Sequence, residues 1–217
     1  MNYRAYVFDA YGTLFDVHSA VRKHADRLGE AGARVSEIWR NKQLEYTWTR
    51  TLIGKHLDFW DLTRQGLEFA LAATGTANPE TRDLLLSAYR TLDCYPEVPE
   101  ALAALKQRGA KLAILSNGSP AMLADAVQSA GLADLLDHVL SIEAISRYKP
   151  LAEVYSIATA KLGIKPAEIA FQSSNRWDIA GAAACGMQCH WINRTRQPDE
   201  YSDLPPVKVL RDLAELL

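Results

Sequence analysis

The chain has 217 residues, of which 48% are hydrophobic, and its formal net charge at pH 7 is -2. This length suits one large domain, or a core domain with a smaller insertion, and it is enough to bury a substantial core. The near-neutral charge gives no electrostatic reason to expect a nucleic acid or an anionic membrane as a partner. Because no apolar run approaches the roughly 20 residues of a membrane span, we expect a soluble protein.

Cysteine usage and the N-terminus indicate the compartment. The chain has three cysteines, Cys94, Cys185 and Cys189. Because their number is odd and they lack C-x-x-C spacing, we expect no disulfide framework. The first residues run directly into a strand-like segment and lack the basic and apolar regions of a signal peptide. We therefore expect a cytoplasmic protein with reduced, packed thiols.

Five short apolar runs, rich in β-branched or aromatic residues, predict buried strands. Continuous apolar runs, as opposed to alternating ones, are typical of a parallel sheet that is covered on both faces. The predicted strands are residues 5–9, 112–116, 138–141, 169–173 and 188–192.

Helices with recognisable ends lie between the later strands. A proline falls inside the predicted start at Pro99 and Pro120, and a glycine follows the predicted end at Gly109, Gly131 and Gly163. This alternation of strands and helices predicts an α/β fold, a doubly wound parallel sheet of the Rossmann-like kind. Sites in such folds lie at the carboxyl ends of the strands.

One region breaks the alternation. Residues 16–92 show helical periodicity and no convincing strand, with helices predicted to start at Ser36, Asp58 and Asn78. The region comes just after the first strand, so it is placed to cover that strand's carboxyl end. We predict a helical cap subdomain of residues 16–92, inserted into a core domain of residues 1–15 and 93–217.

Polar residues follow the predicted strands at four places. They are Asp9 with a Gly12-Thr13 turn, Ser116-Asn117-Gly118, Lys149 before a proline, and Ser173-Ser174-Asn175-Arg176-Trp177-Asp178. An isolated aspartate before a glycine turn often does no more than cap that turn. A doubly wound sheet, however, brings all four places to the same rim. Together they indicate a functional site.

In this order, the four segments resemble the four motifs of the haloacid dehalogenase superfamily, and they span nearly the whole chain. The resemblance implies that Asp9 is the nucleophile that attacks the substrate. It also implies that Ser116 hydrogen-bonds the reacting group and that Lys149 steadies the negative charge. The physical chemistry agrees, because a nearby ammonium favours the ionised carboxylate that a nucleophile requires.

Two departures from the superfamily's phosphatases indicate a different branch. Those enzymes use a second aspartate, two positions after the nucleophile, as a general acid, and this chain has Tyr11 there. They also hold Mg²⁺ with paired acidic residues after the fourth strand, where this chain has Ser173 and keeps Asp178 as the only acid. Mg²⁺ prefers several oxygen ligands, and phosphoryl transfer depends on electrostatic stabilisation of that kind. We therefore expect no metal ion and no other cofactor.

The chain is similar instead to the L-2-haloacid dehalogenases, in residues 38–48, 112–120, 173–178 and 191–195. In that family a cap arginine, an asparagine beside the second-motif serine and a cap phenylalanine hold the departing halide. The resemblance assigns these roles to Arg40, Asn117 and Phe59. A cation, an amide donor and a ring edge suit a weakly hydrated anion. Without the surrounding match, Arg40 would be interpreted as a solvated helix residue and Phe59 as core.

The resemblance gives supporting roles to other motif residues. Thr13, Ser173 and Asp178 are expected to hold the nucleophile and the lysine in place. Asn175, together with Asp178, is expected to position the hydrolytic water. Tyr155 lies on the helix after the lysine and is expected either to support the lysine or to be an interfacial core tyrosine.

The predicted reaction is hydrolytic dehalogenation of short L-2-haloalkanoic acids to D-2-hydroxy acids through a covalent aspartyl ester. Tyr11 and Trp177 are expected to wall the pocket for the alkyl group of this small-molecule 2-haloacid, and Ser116 with main-chain amides to hold its carboxylate. Asn41 departs from the family, where glutamine is expected, and it bears on the pocket's shape. The resemblance also implies a homodimer.

Two alternatives stay open. A magnesium-dependent phosphatase or phosphonate hydrolase of the same superfamily is disfavoured by Tyr11 and Ser173. A catalytically silent relative that acts as a binding module is disfavoured by the intact set of Asp9, Lys149 and Asp178, with Ser116 beside them. Release of halide or of phosphate distinguishes these functions.

Overall fold

The computed structural model describes residues 3–201, 203–204 and 208–217. Over these ranges the chain forms a six-stranded sheet in which every neighbouring pair of strands is parallel. The strands are β1 (Ala5–Phe8), β2 (Lys111–Ser116), β3 (His138–Ser141), β4 (Ile169–Ser173), β5 (Gln188–Ile192) and β6 (Lys208–Leu210). With helices flanking the sheet, the predicted doubly wound α/β fold is confirmed.

The α-helices of the described residues connect these strands. They are α1 (Ser19–Arg22), α2 (Ala25–Leu28), α3 (Gly32–Leu52), α4 (Phe59–Ala73), α5 (Pro79–Arg90), α6 (Val98–Gln107), α7 (Pro120–Ser129), α8 (Ala152–Leu162) and α9 (Arg176–Ala184). None of the helices in these ranges is long and apolar enough to cross a membrane.

The order of the strands creates a crevice beside β1. Across the sheet the order is β3-β2-β1-β4-β5-β6, so the chain first runs outward from β1 on one side and then returns to β4 on the other. The carboxyl ends of β1 and β4 therefore meet where the direction of winding reverses, which is where ligands bind in open α/β sheets. Every residue of both strands is buried.

The sequence predicted five strands and missed the sixth. β6 is an edge strand of three residues, with Lys208 and Val209 exposed, so it contains no apolar run from which a strand could be recognised. β1 also ends at Phe8, one residue earlier than predicted, which leaves Asp9 just beyond the strand.

Two of the three predicted helix starts in residues 16–92 are confirmed. The Asp58 carboxylate accepts the Trp60 N–H at 2.7 Å at the start of α4, and the side-chain Oδ1 of Asn78 accepts the Thr81 N–H at 3.0 Å at the start of α5. The third, at Ser36, is wrong. α3 begins at Gly32, and the Ser36 hydroxyl lies 2.7 Å from Nδ1 of His18, a tertiary partner that local sequence does not reveal.

The chain enters and leaves this helical region through paired backbone. The Asp16 N–H donates to the Asp93 carbonyl at 2.8 Å, and the Tyr95 N–H donates to the Leu14 carbonyl at 3.0 Å. Helices α1 to α5 thus begin and end at adjacent points of the chain. The predicted boundaries at 15/16 and 92/93 fall within this paired segment and stay predictions.

Candidate active site

The carboxylate of Asp9 lies at the crevice between β1 and β4 and is only 6% exposed. Its backbone N–H donates to the Gln172 carbonyl at 2.9 Å, which fixes the residue to β4. Oδ2 accepts hydrogen bonds from the Thr13 hydroxyl at 3.2 Å and from Nδ2 of Asn175 at 3.0 Å. Oδ1 accepts one from Nζ of Lys149 at 3.1 Å. Three side chains from separate segments therefore orient this carboxylate.

Lys149 is a buried ammonium shared by two carboxylates. Nζ lies 3.1 Å from Oδ1 of Asp9 and 2.9 Å from Oδ2 of Asp178, and the residue is 1% exposed. Burial by itself lowers the pKa of Lys149, but the charges of Asp178 and Asp9 outweigh burial and raise the pKa above its ordinary value of 10.5. The group is therefore a permanent cation at neutral pH.

Asp178 completes the ion group from the first turn of α9 and is fully buried. Burial raises the pKa of this carboxyl, although Lys149 opposes the shift. The Tyr155 hydroxyl donates to Oδ1 of Asp178 at 2.7 Å. Tyr155 thus contacts the carboxylate that faces Lys149, and the lysine is reached only through Asp178.

A glycine makes room for this contact. A Cβ at Gly181, one turn after Asp178 on α9, would lie 2.5 Å from the Tyr155 hydroxyl oxygen and 2.8 Å from Cβ of Pro150. Both distances are shorter than real Cβ contacts, so any larger residue at 181 displaces the tyrosine or the loop that carries Lys149. The sequence reasoning did not single out Gly181, because its neighbours come from a different helix.

The loop after β4 links Asp9 to helix α3. The Ser173 hydroxyl accepts the Asn175 N–H at 3.1 Å, and the Ser174 N–H donates to the Thr13 hydroxyl at 2.8 Å. Asn175 donates to Asp9 through Nδ2, while its Oδ1 accepts from Nη2 of Arg40 at 3.4 Å. The Asn175 amide therefore links the nucleophile candidate to an arginine of α3. Ser173 acts on this turn and makes no direct contact with Asp9 or the lysine in the described hydrogen bonds.

The loop after β2 is shaped by its own side chains. The Ser116 hydroxyl accepts the Gly118 N–H at 3.1 Å, and no hydrogen bond joins it to Asp9 or Lys149 in the described ranges. The side-chain Oδ1 of Asn117 accepts the backbone N–H of Lys149 at 3.1 Å. Because the oxygen of this amide is engaged, its NH₂ end is the one left to meet an anion.

Arg40 and Phe59 reach the same place from α3 and α4. Nη2 of Arg40 donates to the Tyr11 carbonyl at 3.1 Å, and the Phe59 ring lies 5.9 Å from the Tyr11 ring, centroid to centroid. A Cβ at Gly118 would lie 2.7 Å from the Tyr11 ring, so the Tyr11 side chain also packs on the loop that carries Asn117. Arg40 and Phe59 therefore border Tyr11, and Asn117 is on the loop whose Gly118 packs on the Tyr11 ring.

A buried polar network that the sequence reasoning missed supports Arg40. Nη1 of Arg40 donates to Oε1 of Gln43 at 3.0 Å, and Nε2 of Gln43 donates to the Thr63 hydroxyl at 2.7 Å. Nε2 of Gln43 also lies 3.0 Å from the hydroxyl of Tyr89, whose ring stacks on that of Tyr11 at 5.7 Å. The sequence contains one signal for this network, a glutamine three residues after Arg40 on the same helix. The residues next to Tyr89 in the sequence do not indicate that it belongs to the network.

Two cavities open onto the site. An apolar one of about 420 Å³ includes Lys149 and Trp177, and the Trp177 ring stands edge-on to Trp48 at 5.5 Å. A second one of about 210 Å³ has a mixed lining that includes Arg40, Asn175, Trp191 and Ile192. Trp177 is thus a cavity wall on the lysine side of the site, while Tyr11 is buried against Phe59 of α4 and Tyr89 of α5.

The donor set of the site is poor for a metal ion. Among the described residues, no three His, Cys, Asp or Glu side chains are grouped closely enough to hold one. The two carboxylates that do come together, Asp9 and Asp178, have Nζ of Lys149 between them. Since an ammonium already stands between these two carboxylates, the residues do not fit an Mg²⁺ site of the usual oxygen-rich kind.

Comparison with known proteins settles the family. A family model described as haloacid dehalogenase-like hydrolase matches residues 3–186. This chain belongs to the haloacid dehalogenase-like hydrolases. The resemblance drawn from the four sequence motifs is confirmed.

Within the haloacid dehalogenase-like hydrolases, several relatives are 2-haloacid dehalogenases. The chain is 46% identical to (S)-2-haloacid dehalogenase 1 of Pseudomonas sp. (strain CBS-3), over 98% of this chain and 94% of that protein. It is 44% identical to (S)-2-haloacid dehalogenase 4A of Burkholderia cepacia, over 98% and 93%. The structure of L-2-haloacid dehalogenase from Xanthobacter autotrophicus, with chloropropionic acid covalently bound, superposes with a TM-score of 0.90 at 35% identity, over 99% and 96%.

The raised pKa of Lys149 gives a direct test of the buried ion group. In NMR spectra of protein labelled at the lysine Cε, the Lys149 signal should keep its ammonium shift beyond pH 10.5. The stability that this cation contributes is then fully present below pH 10.5 and is lost as the pH rises through the folded-state pKa. The signal is assigned by its absence from the Lys149→Arg variant. Titration below pH 10 would show that the carboxylates do not surround the amine as described.

Proposed function

We propose that this protein hydrolyses short L-2-haloalkanoic acids to D-2-hydroxy acids through a covalent ester on Asp9. The observation that carries the proposal is the Asp9 carboxylate, held by Lys149, Thr13 and Asn175 at the crevice of the sheet. The (S)-2-haloacid dehalogenases among its relatives, and the covalent chloropropionic acid in the Xanthobacter structure, support this chemistry.

In the first step, an Asp9 oxygen attacks C2 of the substrate from the side opposite the halogen. The C–O bond forms as the carbon–halogen bond breaks, and the halide leaves with the electron pair, which inverts C2. Oδ2 accepts two hydrogen bonds and Oδ1 accepts one, so Oδ1 keeps a free lone pair and is the attacking atom. Lys149 keeps the carboxylate ionised.

Arg40, Asn117 and Phe59 receive the halide. The guanidinium supplies positive charge, the NH₂ end of the amide supplies a donor, and the ring supplies its positive edge. Tyr11 supports this grouping, because Arg40 bonds its carbonyl, Phe59 lies against its ring, and Gly118, next to Asn117, packs on the same ring. Substrate carboxylate binding falls to Ser116 and nearby main-chain amides, and Tyr11 and Trp177 wall the alkyl group.

In the second step, water attacks the carboxyl carbon of the Asp9 ester. The bond between that carbon and Oδ1 breaks, one proton of the water goes to the product hydroxyl, and the other is released, which restores the Asp9 carboxylate. Asn175, 3.0 Å from Asp9, and Asp178, across Lys149, position this water. Thr13 keeps the carboxylate from rotating, Ser173 shapes the turn of Asn175, and Tyr155 holds Asp178.

We propose that the reaction needs no metal ion, because displacement of a good leaving group at carbon builds none of the charge of phosphoryl transfer. Burial raises the pKa of Tyr11 well above its ordinary value, so this residue is no substitute for the general acid of a phosphatase. The ion group of Lys149 at the crevice favours an active site over a silent binding protein, because ionisable groups with shifted pKa values cluster at functional sites.

The division of the chain, its oligomeric state and its cellular compartment are also part of the proposal. We propose a core of residues 1–15 and 93–217 with a cap of residues 16–92, supported by the paired backbone at its two ends. We further propose a cytoplasmic homodimer, in line with the family resemblance and the unpaired cysteines. Light scattering of the purified chain measures the dimer directly.

The first expected outcome concerns substrate and metal. The protein should release chloride from L-2-chloropropionate and not from the D enantiomer, because only one enantiomer places its halogen opposite Asp9. EDTA should leave the rate unchanged. Activity that collapses in EDTA and returns with Mg²⁺, or phosphate release from a generic ester, would favour the phosphatase alternative.

The second concerns the covalent step. After several turnovers in H₂¹⁸O, mass spectrometry should find ¹⁸O in the peptide that contains Asp9, and the first product molecule should carry an unlabelled hydroxyl. An activated water that attacks C2 directly would give the opposite pattern, with label in the first product and none in the protein. Asp9→Asn serves as the control that neither turns over nor takes up label.

The third concerns the halide cradle. Arg40→Ala should lower kcat by roughly 10²–10³-fold, the usual effect of removing one donor to a developing anion. Activity should fall far more than stability, because Oε1 of Gln43 still accepts from the Tyr89 hydroxyl when Arg40 is removed. Arg34→Ala is the matched control, since Arg34 lies on the same helix and pairs with Glu37 at the surface. Equal rates in the two variants would place the halide elsewhere.

A further inference from the structure

Two of the residues proposed for the halide come from distant parts of the chain. Asn117 is on the loop after β2, and Phe59 is the first residue of α4. The connection that leads into α4, residues 53–58, is not helical, and it is exposed at residues 53–55. Contacts between this connection and the sheet domain therefore bear on where Phe59 lies relative to Asn117.

Tyr148 makes the first such contact. It directly precedes Lys149 and is 1% exposed. Its hydroxyl donates to the Leu57 carbonyl, and its ring lies 6.1 Å from the Phe59 ring, centroid to centroid. The next backbone N–H, that of Lys149, donates to Oδ1 of Asn117 at 3.1 Å. One dipeptide therefore contacts both Asn117 and the segment at the start of α4.

A second contact lies beside the first. Nε2 of His56 lies 3.1 Å from Oε2 of Glu143, two residues after β3. The His56 ring also lies 5.2 Å from the Tyr148 ring, so the two contacts pack on each other. The Glu143 N–H donates to the Ser141 hydroxyl at 3.2 Å, and that hydroxyl donates to the Gly118 carbonyl at 2.7 Å. This second path therefore also ends on the loop after β2.

We propose that Tyr148 is a positioning residue for the leaving group, which holds Phe59 in place relative to Asn117, and that the pair of His56 and Glu143 supports it. These three side chains, Tyr148, His56 and Glu143, form a clamp. The inference rests on the proposed function and extends it to residues that do not touch the halide. A ring edge stabilises an anion only at contact distance, so a displaced Phe59 slows the step that forms the halide.

The hydroxyl of Tyr148 is the part of the clamp that can be removed alone. Burial raises the pKa of Tyr148 far above its ordinary value, so the hydroxyl stays protonated and remains a donor to Leu57 at neutral pH. The Phe59 ring also lies 5.9 Å from the Tyr11 ring, which is independent of Tyr148. Loss of the hydroxyl thus loosens the connection into α4 while the aromatic packing of Phe59 stays.

The expected signature of Tyr148→Phe depends on the halogen. Because kcat/KM covers the steps up to halide loss, it should fall about tenfold for L-2-chloropropionate, less than the roughly 10²-fold that a misplacement of about 1 Å can cost. It should fall at most about threefold for L-2-bromopropionate, since the better leaving group depends less on stabilisation in the transition state. Tyr6→Phe, at a buried tyrosine of β1, is the matched control and should leave both values unchanged. Equal falls for the two halogens would overturn the inference.

The later step separates positioning from general damage. The halide forms before the Asp9 ester is hydrolysed, so single-turnover ester hydrolysis in Tyr148→Phe should stay within about twofold of the wild-type rate. A variant that is merely loosened slows both steps alike. Ester hydrolysis that falls as far as kcat/KM would therefore overturn the positioning role.

Glu143 tests the second path and covers the case in which Tyr148→Phe fails to fold. Glu143→Leu removes the partner of His56 and should raise the bromide-to-chloride ratio of kcat/KM, as Tyr148→Phe does. Glu143→Gln keeps both an acceptor and a donor for the imidazole, so it should restore the wild-type ratio. A wild-type ratio in Glu143→Leu, or an equally altered one in Glu143→Gln, would overturn the role of the pair.

A double-mutant cycle tests whether Tyr148 acts through Phe59. Residues that act through one another are not additive, so Tyr148→Phe should cost less than about twofold in kcat/KM for L-2-chloropropionate when Phe59 is already leucine. The full tenfold loss in the Phe59→Leu background would show that Tyr148 acts elsewhere, and it would overturn the inference.

Binding of bromide alone separates this inference from the proposed function. Measured by the line width of the ⁸¹Br NMR signal, bromide should bind Tyr148→Phe more weakly than wild type by about threefold or more, because the ring edge of Phe59 is displaced. Tyr6→Phe should bind bromide as wild type does. Weaker binding without turnover of any 2-haloacid would refute the proposed function and keep the clamp. Equal affinity in wild type and Tyr148→Phe would overturn the clamp even if 2-haloacids are hydrolysed.

Discussion

The rest of the site depends on one ammonium group, which is buried between two carboxylates. Lys149 can be buried as a cation only because Asp9 and Asp178 surround it, and leaving either partner of such a group unpaired costs about 3–5 kcal/mol. The surrounding contacts serve this group. Asn117 holds the lysine's backbone, Tyr155 holds Asp178, and a glycine on α9 gives Tyr155 its place. The same arrangement that stabilises the fold here keeps a carboxylate ionised and aimed into the crevice.

A second constraint is that the site is assembled from two parts of the chain. The sheet and its loops position Asp9, Lys149 and Asp178, whereas Arg40 and Phe59 come from helices inserted after β1. The Asn175 amide joins the two parts, since its nitrogen contacts Asp9 and its oxygen contacts Arg40. A displacement of α3 therefore acts on Arg40 directly and on Asp9 through Asn175.

Much of the fold and of the site could be predicted because the signals are local. Buried strands appear as apolar runs, and polar residues that follow them, such as Asp9 and Asp178, meet at the rim by topology alone. The features that were predicted wrongly or missed depend on contacts with residues far away in the sequence, or give too short a local signal. Ser36 has the composition of a cap but bonds His18, and β6 is too short and exposed to give an apolar run. Likewise, helical periodicity places Gln43 on one face of α3, but it does not indicate that Thr63 and Tyr89 bond Gln43 there. The sequence around Arg176 does not indicate its hydrogen bond to Asp199 either.

The paired backbone at residues 14–16 and 93–95 bears on how this fold evolves. A segment whose two ends are hydrogen-bonded neighbours can be exchanged by recombination without rethreading the sheet or shifting the register of β1. Arg40 and Phe59 travel with such an exchange, while Asp9, Asn117 and Lys149 stay behind. The part of the site that the inserted helices supply can therefore change while the part built on the sheet is unaltered.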